Sequence, residues 1–171
     1  MGKREKSSSI SLVLPPSIFI GPASAASSIS LLQANSISHV LSVGTSPSSK
    51  IPGVAYHRIS GATCDIIEAA LQSNNGTGRI LVHCSAGISR SPAVVAAYLM
   101  KHHDMSLRTA LGQIVRARPQ ASPNPGFLQE LKGLELELRG TLSLEAEELP
   151  KREKDRLAMF PDEHQERQEQ P

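Results

Sequence analysis

Cys84 and Arg90 bracket a Cys-x5-Arg segment, Cys84-Ser85-Ala86-Gly87-Ile88-Ser89-Arg90, flanked by His83 and Ser91. These residue types at this spacing suit capture of a phosphate group and nucleophilic attack on it. A loop of this length can curl so that its backbone N–H groups point inward, and the N-terminus of a following helix adds its dipole to make an anion nest. Gly87 permits the curl. The same field favours thiolate over thiol, since cysteines at helix N-termini fall to pKa values of about 3.5 to 7.5. Cys84 is therefore the candidate nucleophile. Arg90, planar and bidentate, is the candidate ligand for two phosphate oxygens and stabiliser of the transferring group. Ser91 can hydrogen-bond the sulfur and ease its departure, and His83 is expected to support the thiolate by hydrogen bonding. Ser85, Ala86, Gly87, Ile88, Ser89 and Arg90 form the candidate substrate-binding loop. A cysteine ending an apolar strand is often only a small core residue; Gly87, Arg90 and Ser91 in register with Cys84 argue against that reading.

The loop needs a strand before it and a helix after it, and the flanking residues supply both. Arg79-Ile80-Leu81-Val82-His83 reads as a central strand, and Pro92 suits the first turn of a helix running from Ala93 to His102. Upstream, Ser17-Ile18-Phe19-Ile20 closed by Gly21-Pro22 reads as a strand, Ala23 to Ala34 as a helix with Ser caps, and Ser38 to Val43 as a buried strand. Val54 to Ile59 alternates apolar and polar residues like a half-buried strand, Ser60-Gly61 stops it, and Thr63 is placed to cap a helix from Cys64 to about Ser73. Downstream, Ser106 to Arg118 and Asn124 to Leu138 read as helices. The pattern predicts an α/β domain whose central, mostly parallel sheet of four to five strands is flanked by helices. Residues 17–139 make that domain, 1–16 a flexible N-terminus and 140–171 a disordered charged tail with at most one short helix near Lys151 to Met159.

Composition narrows the function. The 171 residues, 39% hydrophobic, allow one core, which must be aliphatic because the chain has no Trp, three Phe and two Tyr. A formal charge of +2 gives no reason to expect nucleic-acid binding. Cys64 and Cys84, the only two cysteines, do not make a disulfide framework and suit a reducing compartment, the cytoplasm or nucleus. A Cys64–Cys84 bridge under peroxide is conceivable. His57, His102 and His103 do not combine with the cysteines at metal-ligand spacing, so they read as solvated or capping residues and no metal or other cofactor is expected. Arg116 and Arg118 should decorate the last turn of their helix. Ser11 to Ile20, broken by Pro15 and Pro16, is too short to span a bilayer, so no membrane association is expected. Gly2 followed by Lys6 is a poor myristoylation signal.

The segment His83 to Ser91 resembles the signature loop of the dual-specificity protein phosphatases, within the cysteine-dependent protein tyrosine phosphatase superfamily. The likeness extends to Ile18–Gly21, the Ser38 to Gly44 strand, Ala97-Tyr98-Leu99-Met100 and Ser122-Pro123-Asn124-Pro125-Gly126-Phe127. It implies a small atypical member that hydrolyses phosphotyrosine, and also phosphoserine or phosphothreonine, in protein substrates. The implied route is a metal-free phosphocysteine intermediate, and Asn124 resembles the residue that braces the phosphate loop.

One departure stands out. Members of that family carry a general-acid Asp on a loop farther upstream of the nucleophile, and the only Asp here between Ile51 and Cys84 is Asp65. The Ser60 to Thr63 segment reads as lacking the acid loop and part of the helix after it, so the acid role is not transferred to Asp65. Strain is expected near Gly61, where strand and helix are joined by little chain. General acids contribute about 10²- to 10⁴-fold. The alternative is therefore a pseudophosphatase that binds phosphoproteins with little turnover. A lipid or polyphosphate phosphatase would favour extra Lys or Arg in the loop, and a sulfur-transfer domain would not share the residues around Asn124 and Phe127.

Overall fold

The structure is a computed structural model that describes residues 9–59 and 61–162. The basic opening with Gly2, the residue Ser60 and the last part of the charged tail lie outside the described residues. The chain divides into two compact units after Ser91.

The first unit is built on a five-stranded sheet in the order β1-β2-β5-β3-β4, formed by β1 (Ser11–Leu14), β2 (Ile18–Pro22), β3 (His39–Ser42), β4 (Ala55–Arg58) and β5 (Ile80–Cys84). The three pairings β2·β5, β5·β3 and β3·β4 are parallel, and β1 is antiparallel to β2. The predicted class, a mostly parallel sheet flanked by helices, is what forms. β5 lies at the centre because all five of its residues can be buried, the signature of a strand covered on both faces. On one face Phe19, Val40 and Leu81 meet Leu32 of helix α1 (Ile29–Ala34) together with Ala25, Ala26 and Ile37. On the other, helix α2 (Thr63–Gly76) brings Ser73 Oγ within 2.9 Å of His39 Nε2.

Several local expectations are corrected in this unit. Within the stretch expected to be flexible, β1 adds an edge strand in which Val13 is buried. Thr63 is the first residue of α2 and not its cap, since Ala62 holds the N-cap position without a side-chain bond. Left-handed backbone sits at the far end of α2, where Asn74 and Asn75 break the helix at φ 52° and 59°. Asparagine tolerates that region better than most residues. His57 is half-buried and has a partner, its Nε2 lying 3.0 Å from His39 Nδ1 with the two rings stacked.

The second unit holds most of α3 (Arg90–His102), with α4 (Leu107–Ala117), α5 (Pro125–Arg139) and α6 (Glu153–Met159). Ser106 caps α4 through the Thr109 N–H at 3.1 Å, and Gly140, at φ 72°, closes α5 in the left-handed position. α4 packs against both α5 and α6. His102 and His103 are exposed, as expected of solvated residues, and their rings lie against that of buried Tyr98. Arg118 is buried rather than decorating the end of α4.

The tail expected to be disordered from Gly140 onward is structured as far as Asp162. Leu144, Leu149 and Phe160 are buried. Glu135, fully buried on α5, accepts from the N–H groups of Leu107 at 2.8 Å and Ser143 at 2.9 Å and from the Ser143 hydroxyl. Arg156 of α6, 4% exposed, donates to the carbonyls of Pro119, Pro150 and Lys151. The mixture of charges that reads as a solvated tail therefore includes one buried group, Arg156, and the buried Glu135 of α5 fastens the start of the same stretch. The short helix near Lys151 to Met159 is α6.

Candidate active site

Every residue of the Cys84 to Ser91 segment belongs to the first unit and sits at the carboxyl end of the central strand, where open α/β sheets place their ligands. β5 ends at Cys84, and α3 starts at Arg90. Gly87 takes φ 68°, the left-handed turn that glycine adopts without penalty. Ala23 N–H, just past β2, donates to Ser85 O at 3.2 Å, tying the loop to the neighbouring strand end.

Cys84 is 3% exposed, and its Sγ lies 3.3 Å from Ser91 Oγ. Burial pushes the thiol pKa up, but the Ser91 hydroxyl and the backbone N–H groups of Ser91, Gly87 and Ile88 outweigh it and bring the value down to about 7. The nest expected from the spacing thus surrounds the sulfur. Arg90 Nη2 donates to Ser85 Oγ at 3.1 Å, so the two ends of the loop are joined by a side-chain hydrogen bond. Ser85, Ala86 and Ile88 are exposed at the mouth, while Ser91 is wholly buried beneath it.

His83 does not touch the sulfur. It is fully buried and bridges Cys84 O, 3.1 Å from Nδ1, and Ser42 Oγ, 2.8 Å from Nε2. Burial lowers its pKa, a shift opposed by the bond to Cys84 O. Asn124 lies in the second unit, where its Oδ1 accepts from the Phe127 N–H at 2.9 Å and caps α5. Neither Cys64 nor Cys84 is in a disulfide. Asp65 is exposed in the first turn of α2. With Glu68, also on α2, it makes up all the carboxylate side chains between Ser9 and Ser91.

Two residues missed by the sequence reading stand beside the loop. Ser42 ends β3 next to His83, and Gly44 follows at φ 89° with Arg90 close against it. A polar residue inside the apolar run Val40-Leu41-Ser42-Val43 was the available signal for the first, and a glycine just beyond a strand's carboxyl end for the second. Among the described residues, no cluster of three or more His, Cys, Asp or Glu side chains is arranged to hold a metal ion, and no helix is long and apolar enough to cross a membrane.

A central parallel strand delivering a low-pKa cysteine into an anion nest closed by an arginine defines a cysteine-dependent phosphatase fold. The family model described as dual specificity phosphatase, catalytic domain, matches residues 18–136, and the chain belongs to that family. Human dual specificity phosphatase 28 is 36% identical over 146 residues, covering 77% of this chain and 81% of the relative. Dual specificity protein phosphatase 1B of Arabidopsis thaliana is 33% identical, covering 72% and 80%. The crystal structure of human DUSP28 superimposes with a TM-score of 0.65 at 33% identity, covering 76% of this chain and 95% of that one. A mouse putative dual specificity phosphatase, crystallised with zinc tungstate, gives 0.69 at 33% identity, covering 85% and 99%. The chain is accordingly a protein phosphatase, and family membership does not favour the reading as a pseudophosphatase.

Proposed function

We propose that Cys84 is the nucleophile of a two-step phosphoester hydrolysis and that phosphotyrosine in proteins is the preferred substrate. The observation carrying this reading is the sulfur itself, held 3.3 Å from Ser91 Oγ with its pKa brought to about 7. In the first step the thiolate attacks phosphorus, the Sγ–P bond forms, and the P–O bond to the leaving group breaks. Arg90 holds two phosphate oxygens, and the N–H groups of the Ser85 to Ser89 loop take up the equatorial charge. In the second step water attacks phosphorus, the Sγ–P bond breaks, and Ser91 donates to the departing sulfur as inorganic phosphate leaves.

The two carboxylate side chains between Ser9 and Ser91, Asp65 and Glu68, are both on α2, and Asp65 is exposed to solvent. We assign neither a role in the chemistry, so the leaving oxygen takes its proton from water. A tyrosine leaving group, with a pKa of about 10, then departs more readily than the alkoxide of serine or threonine. Phosphoserine and phosphothreonine are accepted by the same loop and turned over more slowly. We take the catalytic domain to extend from β1 to Asp162, beyond the 17–139 span read from the sequence, because the buried residues continue that far. Neither Cys64 nor Cys84 is in a disulfide, which suits a reducing compartment such as the cytoplasm or nucleus.

Steady-state and quenched-flow assays on matched phosphotyrosine and phosphoserine peptides test the reading. Acid quenching should trap phosphate on Cys84, and kcat/KM should be higher for the phosphotyrosine peptide. Equal rates on both peptides would remove the leaving-group argument, and binding without turnover would return the pseudophosphatase reading.

A further inference from the structure

We infer that Ser42 is a positioning residue for the nucleophile, acting through His83 on the Cys84 peptide group; this rests on the proposed role of Cys84. Ser42 is 4% exposed and His83 fully buried, so both must satisfy their polar atoms within the protein. The partners settle the direction of each bond. Cys84 O can only accept, so the ring proton is on Nδ1 and His83 donates to the carbonyl at 3.1 Å. The ring is neutral, because burial holds its pKa below the ordinary histidine value. Nε2 is then a bare lone pair, and the Ser42 hydroxyl donates to it at 2.8 Å. Ser42 therefore occupies the one ring nitrogen that would otherwise be unpaired and mobile.

The backbone makes this bond a constraint on the sulfur. Ser42 and His83 are register partners on β3 and β5, and the Val43 N–H donates to His83 O at 2.8 Å. The imidazole is thus fixed on both sides, and it in turn holds the carbonyl of Cys84. That carbonyl's peptide plane sets where the Cys84 Cα–Cβ bond points. The sulfur's alignment with Ser91 Oγ and with the N–H groups of Gly87 and Ile88 depends on that direction. Without Ser42, the ring is free to tilt toward another partner for Nε2, the Cys84 carbonyl loosens, and the thiolate loses alignment with its donors.

The test uses the full chain as wild type, Ser42→Ala and Ser42→Thr. The rate of Cys84 alkylation by iodoacetamide, followed by peptide mass spectrometry to separate it from Cys64, is measured against pH, alongside kcat and KM for an aryl phosphate and thermal unfolding. Loss of one hydrogen bond of ordinary strength should lower kcat by roughly 5- to 10-fold with KM nearly unchanged, and should move the alkylation midpoint upward. Ser42→Thr, which keeps the hydroxyl, should restore both. Ser42→Ala with an unaltered alkylation midpoint and kcat would overturn the inference and leave Ser42 as a partner for a buried ring only. Should Ser42→Ala not fold, long-range ¹H–¹⁵N correlation on the wild type still decides it: a His83 protonated on Nε2 at neutral pH sinks the proposal. Alkylation and NMR require no turnover, so failure of the phosphatase reading would show in kcat alone.

Discussion

Arg90 fills the space that a side chain on Gly44 would need. A Cβ built on Gly44 overlaps Nη1 of the Arg90 guanidinium and lies 3.2 Å from its Cζ, and the residue's φ of 89° is itself one that L-amino acids rarely adopt. Backbone beyond one strand and a side chain at the start of a helix thus share a volume that only glycine leaves open. Gly44→Ala should displace the guanidinium rather than unfold the unit, because the obstructed atoms are the end of a flexible side chain. The expected result is a 10- to 100-fold drop in kcat/KM, on the order of one charge-assisted hydrogen bond of about 1.5–3 kcal/mol. Weaker inhibition by vanadate should accompany it, with a thermal midpoint lowered by the strained backbone of alanine at that φ, a cost of about 1–2 kcal/mol.

Cys84→Ser should abolish phosphate release while a phosphotyrosine peptide still binds, as measured by calorimetry. Ser91→Ala should act chiefly on the second step. Removing the hydroxyl 3.3 Å from the sulfur takes away a donor that lowers its pKa and that would stabilise it as a leaving group. Quenched-flow traces of this variant should show a burst followed by a steady rate at least several-fold below wild type.

Thiolate chemistry fixes the pH profile on its acidic side. With the Cys84 pKa at about 7, thiolate is lost as pH falls through that value, so alkylation and kcat/KM for an aryl phosphate should both rise across pH 6 to 8. Asp65→Asn should leave the profile unaltered, since that carboxylate is exposed at the start of α2. A changed limb in Asp65→Asn would give this residue the acid role denied to it above.

Stability should depend on the His39–His57 pair. Burial, and then the neighbouring His57, lowers the His39 pKa from its ordinary 6.5. In the window between the lowered value and 6.5 the unfolded chain binds more protons than the folded one, so stability rises with pH there and is lost as pH falls. His83, also lowered by burial, contributes with the same sign. Thermal midpoints should fall as the pH drops below 6.5, and His39→Gln should flatten the dependence.

Glu135→Ala should cost about 2–4 kcal/mol, because it strands the Leu107 and Ser143 N–H groups that the carboxylate satisfies. Denaturant unfolding measures this directly.

The sequence made the loop legible because its chemistry is local: nucleophile, turn glycine, arginine and helix start lie within one contiguous segment. The parallel strands were equally legible, since β2, β3 and β5 are short apolar runs ended by turn residues. What escaped was non-local. Val13 is the one wholly buried side chain of β1, too little to mark a strand. Ser42 and Gly44 acquire meaning from His83 and Arg90, which lie 41 residues beyond Ser42 and on the far side of a helix and two strands. Arg118, Glu135 and Arg156 look like solvated charges in one dimension, and only tertiary packing supplies the carbonyls and N–H groups that let them be buried.

The fastening of residues 140–162 by Glu135 and Arg156 bears on how the gene product tolerates shortening. A stop codon placed just after Arg139, beyond the end of the family-model match at residue 136, would leave the Glu135 carboxylate without the Ser143 donors and uncover apolar surface on α4. Such a polypeptide would present the cell's quality-control machinery with a permanently unfinished surface. Nonsense variants downstream of the recognisable domain would therefore act through protein abundance, with every residue of the phosphate loop still encoded.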